Sequence, residues 1–343
     1  MPITRELLAP GDIQVDSVGV SGMGPCTLLV DAFGEPLRPA ILYGVDTRAS
    51  GQIATLEDRF GAQEILDRSR SLRSSPAVGP KLLWVAERAG GVRAGQEALH
   101  AESWLVWNLT GEYVFDTHSA SQCTPFVDAE ADDWYRPWAD AIAPALELPA
   151  LRWPGDRAGA VTAEVAAATG LPIGTPVITG TIDAWSEAVS VGAQTVGDLI
   201  LMYGTTMFLI NTVDKAVHRE SMWGTVGAFR GTKNLAGGMA TSGAITGWLR
   251  APIMDPDARG VVAGLTLRHN RGDLYHAALE ATAFGVRHNI ETMVAASATI
   301  QRITAAGAKR RGGFGLRSSR TSRAWSSIPR LDPSAMPWRR TSG

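Results

Sequence analysis

The stretch Val177-Ile178-Thr179-Gly180-Thr181-Ile182 is a short apolar strand. It ends on Asp183, and the small residues Ala184, Ala188, Ser190, Gly192 and Ala193 follow. A second strand, Leu199-Ile200-Leu201-Met202-Tyr203, stops at Gly204-Thr205-Thr206. An apolar strand that turns into a helix at a polar residue is the repeating unit of α/β folds, which place ligands at the carboxyl ends of their strands. Asp183 has two compatible roles in that position. It can cap the helix by accepting from free backbone amides, or it can serve as a general base. The small face behind it lets another body approach closely. Gly204, Thr205 and Thr206 read as a tight turn or as a phosphate cradle, with amides pointing outward and hydroxyls adding donors. Thr241, Ser242 and Gly243, ahead of a helix predicted over 244–249, repeat that chemistry at a positive helix end.

The rest of the chain supports two α/β domains with a cleft between them. Strands are predicted over 17–21, 27–31 and 40–43, with a turn at Ala32-Phe33-Gly34-Glu35. Helical patterns cover about 49–60, 80–89 and 101–109, and a short helix over 162–169 is stopped by Gly170. Leu171-Pro172-Ile173-Gly174-Thr175-Pro176 breaks the chain, which places a domain boundary between 172 and 173. Beyond it come a helix over 184–191, the strand 199–203 continuing through Asn211, and a helix over 274–296. No short-period repeat is visible.

Composition bounds the function. Hydrophobic residues make up 45% and charged residues 19% of 343, which suits a globular protein with a sizeable core. The net charge of −2 points to neither nucleic acid nor an anionic membrane. Cys26 and Cys123 have neither metal-ligand spacing nor a disulfide pattern, so the cytoplasm is the expected location. The opening residues Met1–Glu6 lack the pattern of a signal peptide, and no apolar run reaches the ~18 residues that span a bilayer. Gly19-Val20-Ser21-Gly22-Met23-Gly24 leads into a strand, not a helix, which argues against a dinucleotide loop. The six histidines are scattered, and no resident metal site is expected. Tryptophans such as Trp84, Trp104, Trp107 and Trp134 read as core or cleft wall. Residues 308–343 carry eight arginines and one lysine against Asp332, a charge of +8 that leaves −10 for the first 307 residues.

The order of several motifs resembles the FGGY family of carbohydrate kinases, in particular its xylulose kinase-like members. Val20-Ser21-Gly22 opens a substrate-side loop, and Leu29–Ile41 is similar to the family's hairpin. Asp46-Thr47-Arg48, Pro80-Lys81-Leu82-Leu83-Trp84, Leu109-Thr110-Gly111-Glu112, Asp116 and Ser119-Ala120-Ser121 follow in sequence. Gly170–Val177, the Gly180-x-x-Asp183 element, the Gly204 turn and Ala278-Leu279-Glu280-Ala281 complete the series.

The resemblance implies two actin-like (ribonuclease H-like) domains: a sugar-side domain over 1–172, a nucleotide-side domain over 173–307, and an irregular Arg/Ser-rich tail over 308–343. It implies ATP-dependent phosphorylation of a ketose or polyol, with ATP and Mg²⁺ as cofactors. Asp183 matches the base. Gly204, Thr205 and Thr206, and more weakly Thr241, Ser242 and Gly243, match nucleotide contacts. Met23, Gly24, Asp46 and Arg48 fall on the sugar side. The expected partners are a small sugar and ATP, with a homodimer as the compatible protein partnership and no nucleic acid or membrane.

Three departures accompany the resemblance. The family's first phosphate-binding hairpin has no counterpart ahead of Val18. Met23-Gly24-Pro25-Cys26 stands where xylulose kinases carry Gln-Met-His-Gly. The tail matches none of the family's C-terminal part, and a shifted reading frame from about Gly307 accounts for its composition better than a nucleic-acid arm. The expectation is therefore a kinase shortened at both ends, with weak activity or none; the alternative is a non-catalytic remnant or regulatory sugar binder.

Overall fold

The computed structural model describes residues 2–11, 13–43, 46–71, 77–88, 91–93, 96–203, 207–217, 222–239, 265–266 and 268–306. The chain divides into two compact units, one of Met1–Ser190 with Asp214–Asn234 and one of Val191–Val213 with Leu235–Gly343.

The first unit begins with α1 (Pro2–Leu8), β1 (Ser21–Gly22), β2 (Leu28–Val30), α2 (Ser50–Phe60), α3 (Ala62–Ser69) and α4 (Val78–Arg88). It continues with β3 (Glu97–Leu99), α5 (Ala101–Thr110), β4 (Val114–Asp116), α6 (Thr117–Ala120), β5 (Val127–Asp128), β6 (Asp133–Trp134), α7 (Arg136–Ile142) and β7 (Ala150–Arg152). Then come β8 (Arg157–Ala160), α8 (Ala163–Thr169), β9 (Pro176–Ile178), β10 (Thr181–Ile182) and α9 (Asp183–Ser190).

Local chemistry sets the helix ends. Ser103 Oγ accepts from the His100 amide at the start of α5. Gly111 closes that helix at φ 75°, a left-handed position that favours glycine. Thr162 caps α8 by accepting from the Val165 amide, and Gly170 ends it at φ 79°. The main core packs Leu29, Ile41, Leu56, Ile65, Leu82 and Phe126 under α2, α3, α4 and α7.

Two parallel contacts position the site. Val18 bridges Val177, and β1 pairs with β10 in the register Ser21–Thr181 and Gly22–Ile182. The first unit therefore runs beyond Pro172 and carries β9, β10 and α9 with it, Asp183 included.

The second unit holds β11 (Asp198–Tyr203), β12 (Met207–Val213), most of β14 (Lys233–Met239), α10 (Arg271–Ala295) and β15 (Arg302–Ala306). The strand order is β14-β12-β11-β15. The sequence suggested one strand continuing through Asn211. Instead the chain turns back after Tyr203, and β12 runs antiparallel to β11 with Tyr203 opposite Met207. Both strands are apolar enough to be buried on two faces, so composition alone hides the reversal. The first unit also takes β13 (Trp223–Val226), which leads into Lys233 and Asn234 through the Gly227 N–H to Thr232 carbonyl bond. The helix expected over 244–249 and the tail over 308–343 lie outside the described residues.

Candidate active site in the first unit

The pairing of β1 with β10 brings Met23 and Gly24 beside the start of α9. Two glycines permit close packing here, Gly24 against β10 and Gly22 against α5. A Cβ on Gly22 would lie 2.6 Å from the Glu102 amide nitrogen, and one on Gly24 would lie 2.3 Å from Ile182 Cγ2, closer than real Cβ atoms come.

Asp183 opens α9, and its Oδ1 accepts from the Ala184 amide at 2.8 Å. The carboxylate touches solvent, yet enough protein surrounds it for desolvation to raise its pKa, and the charge of Glu102 raises it further. Burial raises the Cys26 thiol pKa, and Asp183 adds to that. The Tyr43 phenol is pushed up by burial and then by Asp183. Asp183, Cys26 and Tyr43 thus share one electrostatic neighbourhood at the carboxyl end of β10.

Beneath lies a buried polar layer. Lys81, His100, Glu102 and Asp116 are each 2% exposed or less. Burial lowers the Lys81 pKa to about 8, while nearby Cys26 and Asp46 oppose that shift. His100 Nδ1 stands 3.3 Å from Glu102 Oε1 without hydrogen-bond alignment. Asp116 Oδ1 accepts from the Ser119 amide at 2.9 Å and from Thr181 Oγ1 at 2.9 Å, so it ties α6 to β10.

Asp46 and Arg48 form a second cluster. Arg48 Nε donates to Asp46 Oδ1 at 2.8 Å, and Arg48 Nη2 lies 2.7 Å from Asp46 Oδ2. The pair keeps the Asp46 pKa below the usual carboxylate value, chiefly through that side-chain bond. An open groove runs past Leu42, Asp46, Thr47, Arg48 and Trp84.

The structure thus brings Met23, Gly24 and Asp183 together through one strand pairing. Asp46 and Arg48 occupy a groove that Leu42 and Tyr43 link in sequence to the Asp183 neighbourhood. Gly204, Thr205, Thr206, Thr241, Ser242 and Gly243 lie outside the described residues. Sequence reasoning passed over Tyr43, Lys81 and Glu102. The signal for Lys81 is a lone charge inside the apolar run of α4; Glu102 is masked because acids in a first helical turn are ordinary. Among the described residues no cluster of three His, Cys, Asp or Glu could hold a metal ion. Mg²⁺ needs no such cage, since one or two carboxylates and nucleotide phosphates commonly suffice.

Comparison with known proteins gives this geometry a context. Residues 5–190 match the N-terminal domain of the FGGY family of carbohydrate kinases, and residues 248–311 match its C-terminal domain. A glycerol kinase of Nocardia farcinica is 27% identical, over 82% of this chain and 64% of its own length. A glycerol kinase of Brucella anthropi is 29% identical, over 82% of this chain and 65% of its own. The chain therefore spans a little under two thirds of these curated relatives. A xylulose kinase from Rhodospirillum rubrum superposes with TM-score 0.80 at 26% identity, covering 94% of this chain and 72% of that one. A gluconate kinase from Lactobacillus acidophilus shares the fold with TM-score 0.78 at 18% identity, covering 91% and 71%.

Proposed function

Since the chain belongs to the FGGY family of carbohydrate kinases, we propose that it serves the ATP-dependent phosphorylation of a small polyol or ketose in the cytoplasm, with Asp183 as the general base. The observation that carries this reading is the place of Asp183: a carboxylate at the carboxyl end of β10, opening α9, with its pKa raised. The bond from Ala184 fixes Oδ1, and Oδ2 receives the proton of the attacking hydroxyl. A pKa raised toward the working pH makes a carboxylate a better proton acceptor. Glu102 acts on Asp183 through its charge and is a positioning residue.

Met23 and Gly24 shape the slot for the sugar, and Tyr43 walls it. Asp46 and Arg48 supply polar contacts on the same side. Gly204, Thr205 and Thr206 are assigned to the nucleotide phosphates, with Thr241, Ser242 and Gly243 beside them in role. ATP, when bound with Mg²⁺, supplies the phosphoryl group. The residues contribute mainly positioning and charge, which is what phosphoryl transfer asks of a protein. Glycerol and D-xylulose are both candidate acceptors, given the names of the relatives and the structural neighbour.

The test is ADP release by the full chain with MgATP and glycerol, D-xylulose, D-ribulose or D-gluconate. Asp183→Asn should lower kcat by roughly 100-fold or more with little change in sugar affinity. Unchanged turnover would remove Asp183 from the role of base. Acceptor-dependent ADP release from the unaltered chain would rule out a non-catalytic sugar binder. The acid limb of the kcat profile should lie above the ordinary carboxylate range, because activity is lost as pH falls through the raised pKa of Asp183. Glu102→Gln should move that limb to lower pH by removing a negative neighbour.

A further inference from the structure

Residues 214–234 follow β12 and precede most of β14, yet they pack as part of the first unit. The Gly224 amide donates to the Arg70 carbonyl at 3.0 Å, and the Val226 amide donates to Ser121 Oγ at 3.1 Å. Arg230 pairs with Asp156 at 2.7 Å, and Lys233 Nζ donates to the Ala129 carbonyl at 2.9 Å. The segment is thus fixed to the first unit along its length.

Two of its groups reach α9. The Val226 carbonyl accepts from His118 Nδ1 at 2.6 Å, and the His118 ring lies against Trp185 with ring centroids 3.7 Å apart. Asn234, with its side-chain amide turned to satisfy both neighbours, accepts from Trp185 Nε1 at 2.5 Å and donates to the Lys233 carbonyl at 3.1 Å. His118, Trp185 and Asn234 are each 4% exposed or less. Trp185 stands two residues after Asp183, in the first turn of α9. An indole with a ring against it and a buried acceptor for its N–H has one setting, because leaving that N–H unpaired is costly. The hydrogen bond on the Asp183 carboxylate comes from the Ala184 amide in the same turn, so the aim of the carboxylate follows the setting of α9.

We propose that His118 and Asn234 are positioning residues for phosphoryl transfer: through Trp185 they fasten the first turn of α9 to the 214–234 segment and so set the aim of Asp183. The inference rests on Asp183 being the general base. Such a base must lie within hydrogen-bond reach of the proton it takes. Misplacement by about 1 Å costs on the order of 100-fold in rate, even when its cause lies away from the chemistry.

Kinetics and hydrogen exchange on the full chain test it, with MgATP and glycerol or D-xylulose as acceptor. Asn234→Leu removes the acceptor of the indole N–H; His118→Phe keeps a ring against Trp185 but loses the bond to Val226. Each should lower kcat about 10- to 100-fold, counted per acceptor-binding site in calorimetry, with KM for the acceptor unchanged. Each should also move the acid limb of the kcat profile to lower pH, because a loosened α9 lets water reach Asp183. The groups that face Asp183, namely Glu102, Cys26 and Tyr43, stay as they are. Amides of α9 should exchange roughly 10-fold faster or more, while those of α8 do not change. Trp185→Phe removes the same bond as Asn234→Leu, so the double variant should lose no more kcat than the worse single one. Where His118→Phe does not fold, that pair carries the test. Parent-like exchange of α9 in the variants overturns the proposal. So does a lowered kcat with the acid limb in place, or an additive loss in the double variant. Faster exchange of α9 in a chain that phosphorylates neither acceptor would sink the kinase reading and leave the fastening of α9 standing.

Discussion

Asp116 and His118 sit two residues apart, both buried, and burial perturbs them in opposite senses. It pushes the Asp116 carboxyl up to about 7, with Glu102 adding to the shift, and it pushes the His118 imidazole down to about 3. His118 Nδ1 lies 2.6 Å from the Val226 carbonyl, which can only accept, so Nδ1 carries the proton. Nε2 then accepts from Gln122 Nε2 at 3.0 Å, and the ring is neutral. The two groups have opposite linkage signs. Asp116 binds its proton more tightly folded than unfolded, so its contribution is complete below about 3.8 and is lost as pH rises to about 7. His118 binds its proton less tightly folded, so its contribution is absent below about 3 and grows as pH rises to about 6.5. The two offset each other across the acid range. Asp116→Asn keeps the acceptor for Ser119 and Thr181 but removes the first term. Urea unfolding should then show stability that climbs more steeply with pH between 4 and 7, by at least ~1 kcal/mol relative to the parent. His118→Gln should tilt the difference the other way. Parallel pH profiles for all three proteins would show that neither group is perturbed as described.

At the scale of elements, two glycines make a controlled comparison. Gly24 follows β1, where an added methyl would meet Ile182 Cγ2 at 2.3 Å; around Gly51 in α2 nothing lies within 4 Å. Gly24→Ala should cost ~1–3 kcal/mol, the usual penalty for overpacking. Gly51→Ala should be neutral or stabilise by up to ~1 kcal/mol through helix propensity. Thermal melts of the two variants check this, and similar losses in both would mean that β1 and β10 are not packed this closely. The contrast also shows what the sequence could reveal. The helices α2, α4, α5, α8, α9 and α10 were legible because each has a local cause: an apolar stripe, a cap such as Thr162, or a stop such as Gly111 or Gly170. The pairing of β1 with β10 was not, because two-residue strands some 160 positions apart leave no period to count. That pairing is what sets Met23 and Gly24 beside Asp183. Asp183 could be singled out from its place at a strand end. Lys81 left one local sign, a lone charge inside an apolar run; Glu102 left none, since its importance lies in burial, and burial of a charge is decided by neighbours distant in sequence.

At the scale of the whole molecule, β15 is the long-range closure on which the second unit depends. Its residues join β11 in parallel, Asp198 opposite Arg302 and Met202 opposite Ala306. Closing a loop of 104 residues costs roughly 4 kcal/mol of chain entropy by the logarithmic rule. The return comes from the ladder itself, from the burial of Leu199, Ile200, Leu201 and Met202, and from one ion pair. Arg302 Nε and Nη2 donate to the two oxygens of Asp198, each at 2.7 Å. Thr195 and Gln194 also donate to Asp198 Oδ2. Burial raises the Asp198 pKa, but these bonds outweigh it and hold the carboxyl at about 2. The pair's contribution is therefore present above the unfolded value of 3.8 and lost only as pH falls through about 2. Asp198→Ala should destabilise the second unit by ~1–3 kcal/mol, since it takes the acceptor from the Gln194 and Thr195 amides and the Thr195 hydroxyl. The sharper test compares a chain ending at Ala306 with one ending at Gln301. Without β15, one side of β11 is an open edge of six residues, five of them apolar or aromatic, and such edges pair with other chains. The shorter chain should sediment as large oligomers under conditions in which the chain ending at Ala306 does not. Equal solubility and equal hydrogen-exchange protection of β11 in both would show that the strand is held by β12 alone.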